Sequence, residues 1–436
     1  MQFHVMLPTR GLIIGSIFLF FFATHAIGAT YHVAPYGSDS NPGTQAQPWA
    51  HPQKCADMMV GGDTCIVKDG TYNDHDGDSH VVDMKTFSGA GPTNWVTFRA
   101  ENTHGAVIDG ENASSAGRGF MMRDSDYVRI IGFEIKRVYT GIRFYDNAHD
   151  IHIENCKIHD IGRHWLSPSD PCPKTATKSF SGIGARGDCW NITVNRNEIY
   201  DIGRMIHDPP DTCWRDFLWD HAIYASGSNW LITNNLIYNV FSGWNIKISG
   251  YMNEDPRPTA IVVNNTFANN RNQVVYKADC QGMILITDKS GTYNPYIPHD
   301  VIIENNLFYN NTGDMAVHVN YRVDLEGSSF QNNVMSCPYV WGTFGGTYTG
   351  GLPTTGKNKK SLPLSSLGMK DPKNYDFSLT SSASYVIDTG KATKFVDQDY
   401  NNNPRPQNSL YDIGAYEYYP QSFISSKPKN LKVVDP

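Results

Sequence analysis

Three stretches share one pattern: LITNNLI (231–237), IVVNNTF (261–267) and VIIENNLF (301–308). Each alternates apolar and polar residues, turns on an Asn-bearing pair and resumes with an apolar residue. ITVNRNEI (192–199), SFQNNVM (329–335), IHIENCKI (151–158) and VRIIGFEI (128–135) fit the same frame. Aligned on the last apolar residue, Asn197, Asn235, Asn265, Asn306 and Asn333 fall in one column, with Cys156 and Gly132 in the earlier members. Asn suits a sharp turn between strands because it accepts left-handed geometry. Stacked Asn side chains can then hydrogen-bond between strands about 4.8 Å apart. The spacing runs from 23 residues (135 to 158) to 41 (158 to 199), as coils with loops of unequal length would give. Hairpin signals such as Asn-Gly are missing between these strands, which counts against an antiparallel sandwich. The pattern predicts an all-β chain folded as a single-stranded right-handed parallel β-helix.

A second strand belongs to each repeat: GIRFY (141–145), GIGAR (182–186), AIYAS (222–226), NIKIS (245–249) and AVHVN (316–320). Longer loops are expected over 162–180, 203–219, 251–259 and 287–299. The ends differ from the middle. Residues 30–72 read as strand, turn, short helix (Pro52 to Met59) and strand, a cap for the first coil. Residues 342–375 are rich in Gly, Thr, Ser and Lys, and alternation returns from Asp376 to Tyr419. The expected organisation is a leader at 1–29, the β-helix with its cap at 30–340, and an irregular linker and C-terminal cover at 341–436.

The 436 residues include 12% aromatic and only 18% charged residues, which argues against disorder and against a long helical protein. Arg10, the apolar run Leu12 to Phe22 and small residues at Ala26, Gly28 and Ala29 read as an export signal, with an uncleaved membrane anchor as the alternative. Cleavage would remove one positive charge and no acid from a chain of net charge −7. A mild acidic balance gives no support for nucleic-acid binding. A secreted or periplasmic monomer is expected, with no integral membrane span after cleavage. The eight cysteines suggest up to four disulfides, with Cys55–Cys65, Cys156–Cys189, Cys172–Cys213 and Cys280–Cys337 as the preferred pairing. No CxxC pair points to zinc.

YHVAPYGSDSNPGT (31–44), GGDTCIVKDGTY (61–72), the Asn-turn coils and the closing DIGAYE (412–417) resemble secreted right-handed β-helix proteins of the polysaccharide lyase type, with the pectin-lyase-like fold. The resemblance covers most of the mature chain and implies fold more than activity. The Asp pair and Gly-His-Gly of galacturonan hydrolases are absent, as is the Asp-Pro-His-Glu of alginate epimerases. FLWDHAIY (217–224) resembles the Trp-Ile-Asp-His element of pectate lyases, but no family's catalytic residues carry over by motif.

Site candidates come from the second-strand column. If Ile142, Ile183, Ile223, Ile246 and Val317 point inward, then Arg143, Gly184, Tyr224, Lys247 and His318 point outward, followed by Tyr145, Arg186, Ser226, Ser249 and Asn320. Tyr224 and Lys247 would stand about 5 Å apart, with His221 close by. That mix suits a polyuronate lyase, with Lys247 as base, Tyr224 or His221 as proton donor, and Arg143 and Arg186 as substrate clamps. His318, Trp214 and Trp219 would add substrate contacts. The alternatives are a glycoside hydrolase using two of Glu154, Asp188, Asp220 and Asp324, and a non-catalytic polysaccharide- or surface-binding module using Trp214, Trp219, Trp230 and Trp244. Asp74, Asp76 and Asp78 in NDHDGDSH (73–80) could bind Ca2+ through alternating carboxylates, or form a plain acidic turn.

Overall fold

The computed structural model describes residues 28–111, 117–162, 180–187, 189–203, 220–249, 259–270, 283–287, 298–311, 315–320, 323–344, 348 and 350–420. Its strands form three long parallel sheets, each built by adding one strand per coil. Sheet A has eleven strands, from Thr30–Val33 to Thr354–Gly356. Sheet B has nine, from Gly70–Tyr72 to Val334–Met335, and sheet C has nine, from His80–Met84 to Tyr339–Phe344. One coil runs through Thr140–Tyr145 in sheet C, His149–Glu154 in A and Lys157–Ile161 in B. This is the right-handed parallel β-helix that the Asn-turn repeat predicts. The coils begin well before residue 128 and continue past residue 340, where the turn signature is weak or lost.

The core is a narrow apolar column. Ile142, Ile183, Ile223, Ile246 and Val317 are all buried, as the alternation requires. Ile284, on a strand absent from the repeat alignment, extends the column. The Asn column forms a continuous ladder. Asn235 N–H and Nδ2 both donate to Asn265 Oδ1 (2.9 Å each), and Asn265 Nδ2 donates to the Ile232 carbonyl at 2.9 Å. The same pattern joins Asn197 to Asn235, Asn265 to Asn306 and Asn306 to Asn333. It ends on Asn358, outside the sequence alignment. The left-handed residue is the one before each rung: Asn155, Arg196, Asn234, Asn264, Asn305 and Asn332 have φ between 52 and 57°. The ladder Asn is therefore retained for its buried side-chain bonds, while its neighbour makes the turn. A second, shorter ladder joins Asn270 to Asn311 at the far edge of sheet B.

Helix Pro52–Met58 caps the first coil, and Cys55–Cys65 ties it to sheet A. The expected Cys156–Cys189 disulfide is not formed. Cys156 occupies the A-to-B turn and Cys189 the C-to-A turn, at different corners of the coil. Cys156 is a thiol that donates to the Ile130 and Glu154 carbonyls, and burial pushes its pKa up to about 12. Cys172, Cys213 and Cys280 lie outside the described residues, as does most of the leader at 1–29. No helix among the described residues is long and apolar enough to cross a membrane.

Residues 362–418 lie against sheet B. Leu367, Phe377, Val386 and Ile413 pack on Leu236, Tyr238, Leu307 and Val334. Gly414 approaches so closely that a Cβ there would sit 2.8 Å from Thr266 Oγ1, and its φ of 92° suits glycine. Within DIGAYE, the carbonyls of Asp412 and Gly414 and the Glu417 carboxylate all accept from Arg405, which is buried with Glu417.

The ladder makes a direct prediction. Asn265→Ala leaves buried donors on Asn235 and the Ile232 carbonyl unmatched, so it should cost roughly 3 kcal/mol or more in denaturant unfolding. A loss below about 1 kcal/mol would show that the rungs are ornamental.

Candidate active site

The outward side of sheet C presents three columns in register across its strands. The first runs Arg118, Thr140, Ser181, His221, Trp244. The middle runs Asp83, Met121, Arg143, Gly184, Tyr224, Lys247, Leu285, His318. The third begins Arg123, Tyr145, Arg186 and includes Ser226, Ser249 and Thr287. His221 is the first residue of its strand. Ala222 and Ile223 both enter the core, which returns His221 to the outward side with Tyr224.

Lys247 Nζ sits over the Tyr224 ring, 4.8 Å from its centroid. Burial holds the Lys247 pKa below its ordinary value, with the Tyr224 hydroxyl acting weakly the other way. His221 packs against Tyr224 and Trp244 at 5.5 and 5.9 Å between ring centroids. Burial lowers the His221 pKa well below that of free histidine, and the Lys247 and Arg143 charges lower it further. At neutral pH His221 is uncharged. Its Nδ1 lies 3.5 Å from the Trp244 backbone N–H, which also donates to the Asp220 carbonyl at 3.2 Å. His318 meets Trp244 edge-on at 6.3 Å, and burial lowers its pKa to about 4.

Several buried polar atoms on this face lack a partner among the described residues. They are Arg143 Nε, Ser181 Oγ, Trp244 Nε1 and Ser249 Oγ. Each such atom costs about 1–3 kcal/mol when unpaired. A hydroxyl-rich ligand on this face would supply the missing bonds.

Arg143 joins two parts of the face. Gly184 lies beside it on the next strand, and a Cβ on Gly184 would come within 2.8 Å of Arg143 Nη1. The missing side chain lets the guanidinium reach toward the strand of Tyr224. Arg186 turns instead to Tyr145, where Arg118 and Arg123 also gather. The two expected clamps therefore diverge: Arg143 faces both groups, and Arg186 belongs with Tyr145. The sequence reading placed Tyr145 outward but gave it no role, and it passed over Arg118 and Arg123. Their strand, RGFMMR, carries no Asn turn to place it in the alignment.

The other candidates fall elsewhere. Glu154 lies on sheet A, paired with Arg196. Asp220 is fully buried, accepting from Phe180 N–H and Ser242 Oγ. Asp324 caps the backbone of Glu326 and Gly351. Trp230 is buried in the core. Trp214, Trp219 and Asp188 lie outside the described residues. Oxygens of Asp74, Asp76 and Asp78 come within 4.8 Å of one another, close enough to share a hard cation. They also accept from Gly77, Asp78, Ser79 and His80 N–H groups, so the turn closes on itself. Asp39, His51 and His75 form a second cluster. There the two imidazoles stack at 13°, so their in-plane lone pairs cannot both point at one ion.

Residues 31–176 match a family model described as Pel9A-like, right handed beta helix region, and residues 118–295 match one described as right handed beta helix region. A search of curated protein sequences finds no match. Among solved structures, pectate lyase Pel9A aligns over 90% of this chain and 98% of its own, with TM-score 0.55 and 14% identity. An alginate lyase from Paenibacillus sp. str. FPU-7 aligns over 71% and 91%, with TM-score 0.46 and 17% identity. A glycoside hydrolase aligns over 76% and 96%, with TM-score 0.44 and 9% identity. At these identities the likeness is one of fold.

His318 gives a pH prediction. Its folded pKa of about 4 lies below the unfolded value near 6.5, so the unfolded chain binds the proton first. Stability should fall as pH drops from about 6.5 toward 4, by up to about 3 kcal/mol from this residue. His318→Gln should flatten that part of the stability profile, measured by urea unfolding at each pH. A profile parallel to the parent's would remove His318 from the account.

Proposed function

We propose that this chain, a right-handed parallel β-helix protein with a Pel9A-like β-helix region, is an exported lyase that cleaves an acidic, uronate-containing polysaccharide by β-elimination. The observation that carries this reading is Lys247. It is an amine desolvated on the outward side of sheet C and held over the Tyr224 ring. A lysine whose pKa is lowered by burial can be neutral near physiological pH and accept a proton.

In this reading Lys247 Nζ takes the proton from the sugar carbon next to the carboxylate. The electron pair forms a carbon–carbon double bond, and the glycosidic C–O bond at the β position breaks. Tyr224 is the better proton donor to the departing oxygen. His221, neutral through burial, orients the site by its packing on Tyr224. Arg143, reaching over Gly184, offers positive charge to the substrate carboxylate as negative charge develops there. Ser181, Ser249 and Trp244 present donors to sugar hydroxyls. Calcium at Asp74, Asp76 and Asp78 would be separate from this chemistry. That turn leads into the His80–Met84 strand, five strand spacings (roughly 24 Å) from the strand of Lys247.

The hydrolase alternative is weaker because the one described carboxylate in these columns, Asp83, stands on the His80–Met84 strand, five strand spacings from Lys247, with no second carboxylate beside it. Binding without catalysis would use the same face of sheet C and yield no product.

The test is ultraviolet absorbance of unsaturated products, screened against alginate, polygalacturonate and glycosaminoglycans. Lys247→Ala should lower kcat by about 10²–10⁴ while leaving thermal unfolding nearly unchanged. The rate should rise with pH through the Lys247 titration, because the neutral amine is the base. Product formation by Lys247→Ala at the parent rate would sink the assignment.

A further inference from the structure

Three of the four arginine guanidinium carbons flank the Tyr145 ring: Arg143 at 4.8 Å from its centroid, and Arg118 and Arg123 each at 5.8 Å. Arg118 Nη2 donates to the Tyr145 hydroxyl at 3.4 Å, and Arg143 and Arg186 lie within hydrogen-bonding reach of the same oxygen. These residues come from three successive strands of sheet C, Arg118–Arg123, Thr140–Tyr145 and Ser181–Arg186. Among the described residues no carboxylate forms an ion pair with any of the four.

Four guanidinium groups on one phenol repel one another, and no described carboxylate pairs with them directly; Asp83, in register with Met121, lies on the adjoining strand. Burial alone would raise the Tyr145 phenol, but Arg143 and Arg118, with hydrogen bonds from Arg143 and Arg186, bring it below the ordinary tyrosine value. Each guanidinium has five N–H donors, and one hydroxyl uses few of some twenty. Arg118 Nε is buried without a partner, as is Arg143 Nε. Arg123 and Arg186 are exposed at the rim, so a ligand can reach the cluster. Planar forks with spare donors match carboxylate and sulfate oxygens in paired bonds.

We propose that Arg118, Arg123, Arg143 and Arg186, gathered on Tyr145, form an anion subsite that holds a carboxylate or sulfate group of a polysaccharide lying along the helix axis. The subsite is three strand spacings, about 14 Å, from the strand of Lys247. Its outer arginines, Arg118 and Arg123, one strand further out, therefore engage a different sugar from the one at Lys247, while Arg143 stands between the two. The inference extends the proposed lyase reading to substrate selection, but binding here needs no chemistry at Lys247.

The experiment is equilibrium binding to three probes: polygalacturonate oligosaccharides, dextran sulfate and neutral dextran. The full-length Lys247→Ala protein is used for the first, so that the probe is not consumed, and the unsubstituted protein for the other two. Arg118→Gln/Arg123→Gln should weaken acidic-probe binding about tenfold to a hundredfold and reduce its salt dependence. Lys360→Gln/Lys373→Gln, which removes the same charge from exposed sites elsewhere, should not. The acidic probe should also shift the phenolate absorbance titration assigned to Tyr145 by subtraction of Tyr145→Phe. Preference for polygalacturonate assigns a carboxylate, and preference for dextran sulfate assigns a sulfate. Equal binding of neutral dextran, or arginine-independent binding by protein with unchanged thermal unfolding, overturns the subsite. Absence of unsaturated product with arginine-dependent binding intact would remove the lyase reading and leave the subsite standing.

Discussion

A solenoid must hand its backbone from one coil to the next at one fixed strand spacing, while its corners stay buried. Turn amides and carbonyls at those corners have no water to bond. The Asn197–Asn358 ladder meets this constraint with one side chain per coil, each serving the backbone of its neighbours. Once the corners are pinned, the strands of all three sheets are held in register. Side chains from distant parts of the sequence then stand side by side on sheet C. Tyr224 and Lys247 meet because their strands are neighbours in that stack.

The face that results is under electrostatic strain. Lys247 is desolvated, His221 and His318 are held neutral, and four arginines crowd around Tyr145. None of this favours the empty fold. A protein selected only for stability would place serines or threonines at these outward positions. Arg143 is the hinge of the arrangement, because it packs on Tyr145 and also lies over Gly184 beside the strand of Tyr224.

Much of the architecture could be read from residues 128–335, because the Asn-turn pattern has a period-2 lead and a fixed break. The outward phase of Arg143, Tyr224, Lys247 and His318 followed from the same alternation. What escaped was of two kinds. Coils whose turns use other residues gave no alignment, so Arg118–Arg123 and Ile284–Thr287 were not recognised as strands of the same sheet. Contacts made by long side chains across coils also escaped, since strand phase says where a Cβ points and not where a guanidinium ends. Arg186 thus gathers on Tyr145 rather than beside Tyr224 and Lys247, which strand phase alone does not specify. Cys156 misled for a related reason: it fills an Asn position in the ladder, and column membership says nothing of sulfur chemistry.

The C-terminal segment has a further consequence. Ala415 N–H donates to Thr266 Oγ1 and Asn264 Nδ2 to the Gly414 carbonyl, contacts that span 149 and 150 positions of sequence. Coils can add to one another in order, but this clasp can close only on coils already stacked. Its apolar residues cover Leu236, Tyr238 and Leu307, which would otherwise be a sticky stripe on an unfinished solenoid. During synthesis the stripe stays uncovered until residues 362–418 emerge. The chain is thus most prone to associate with its own copies while the coils are stacked and the clasp is still open, and closing the clasp ends that exposure.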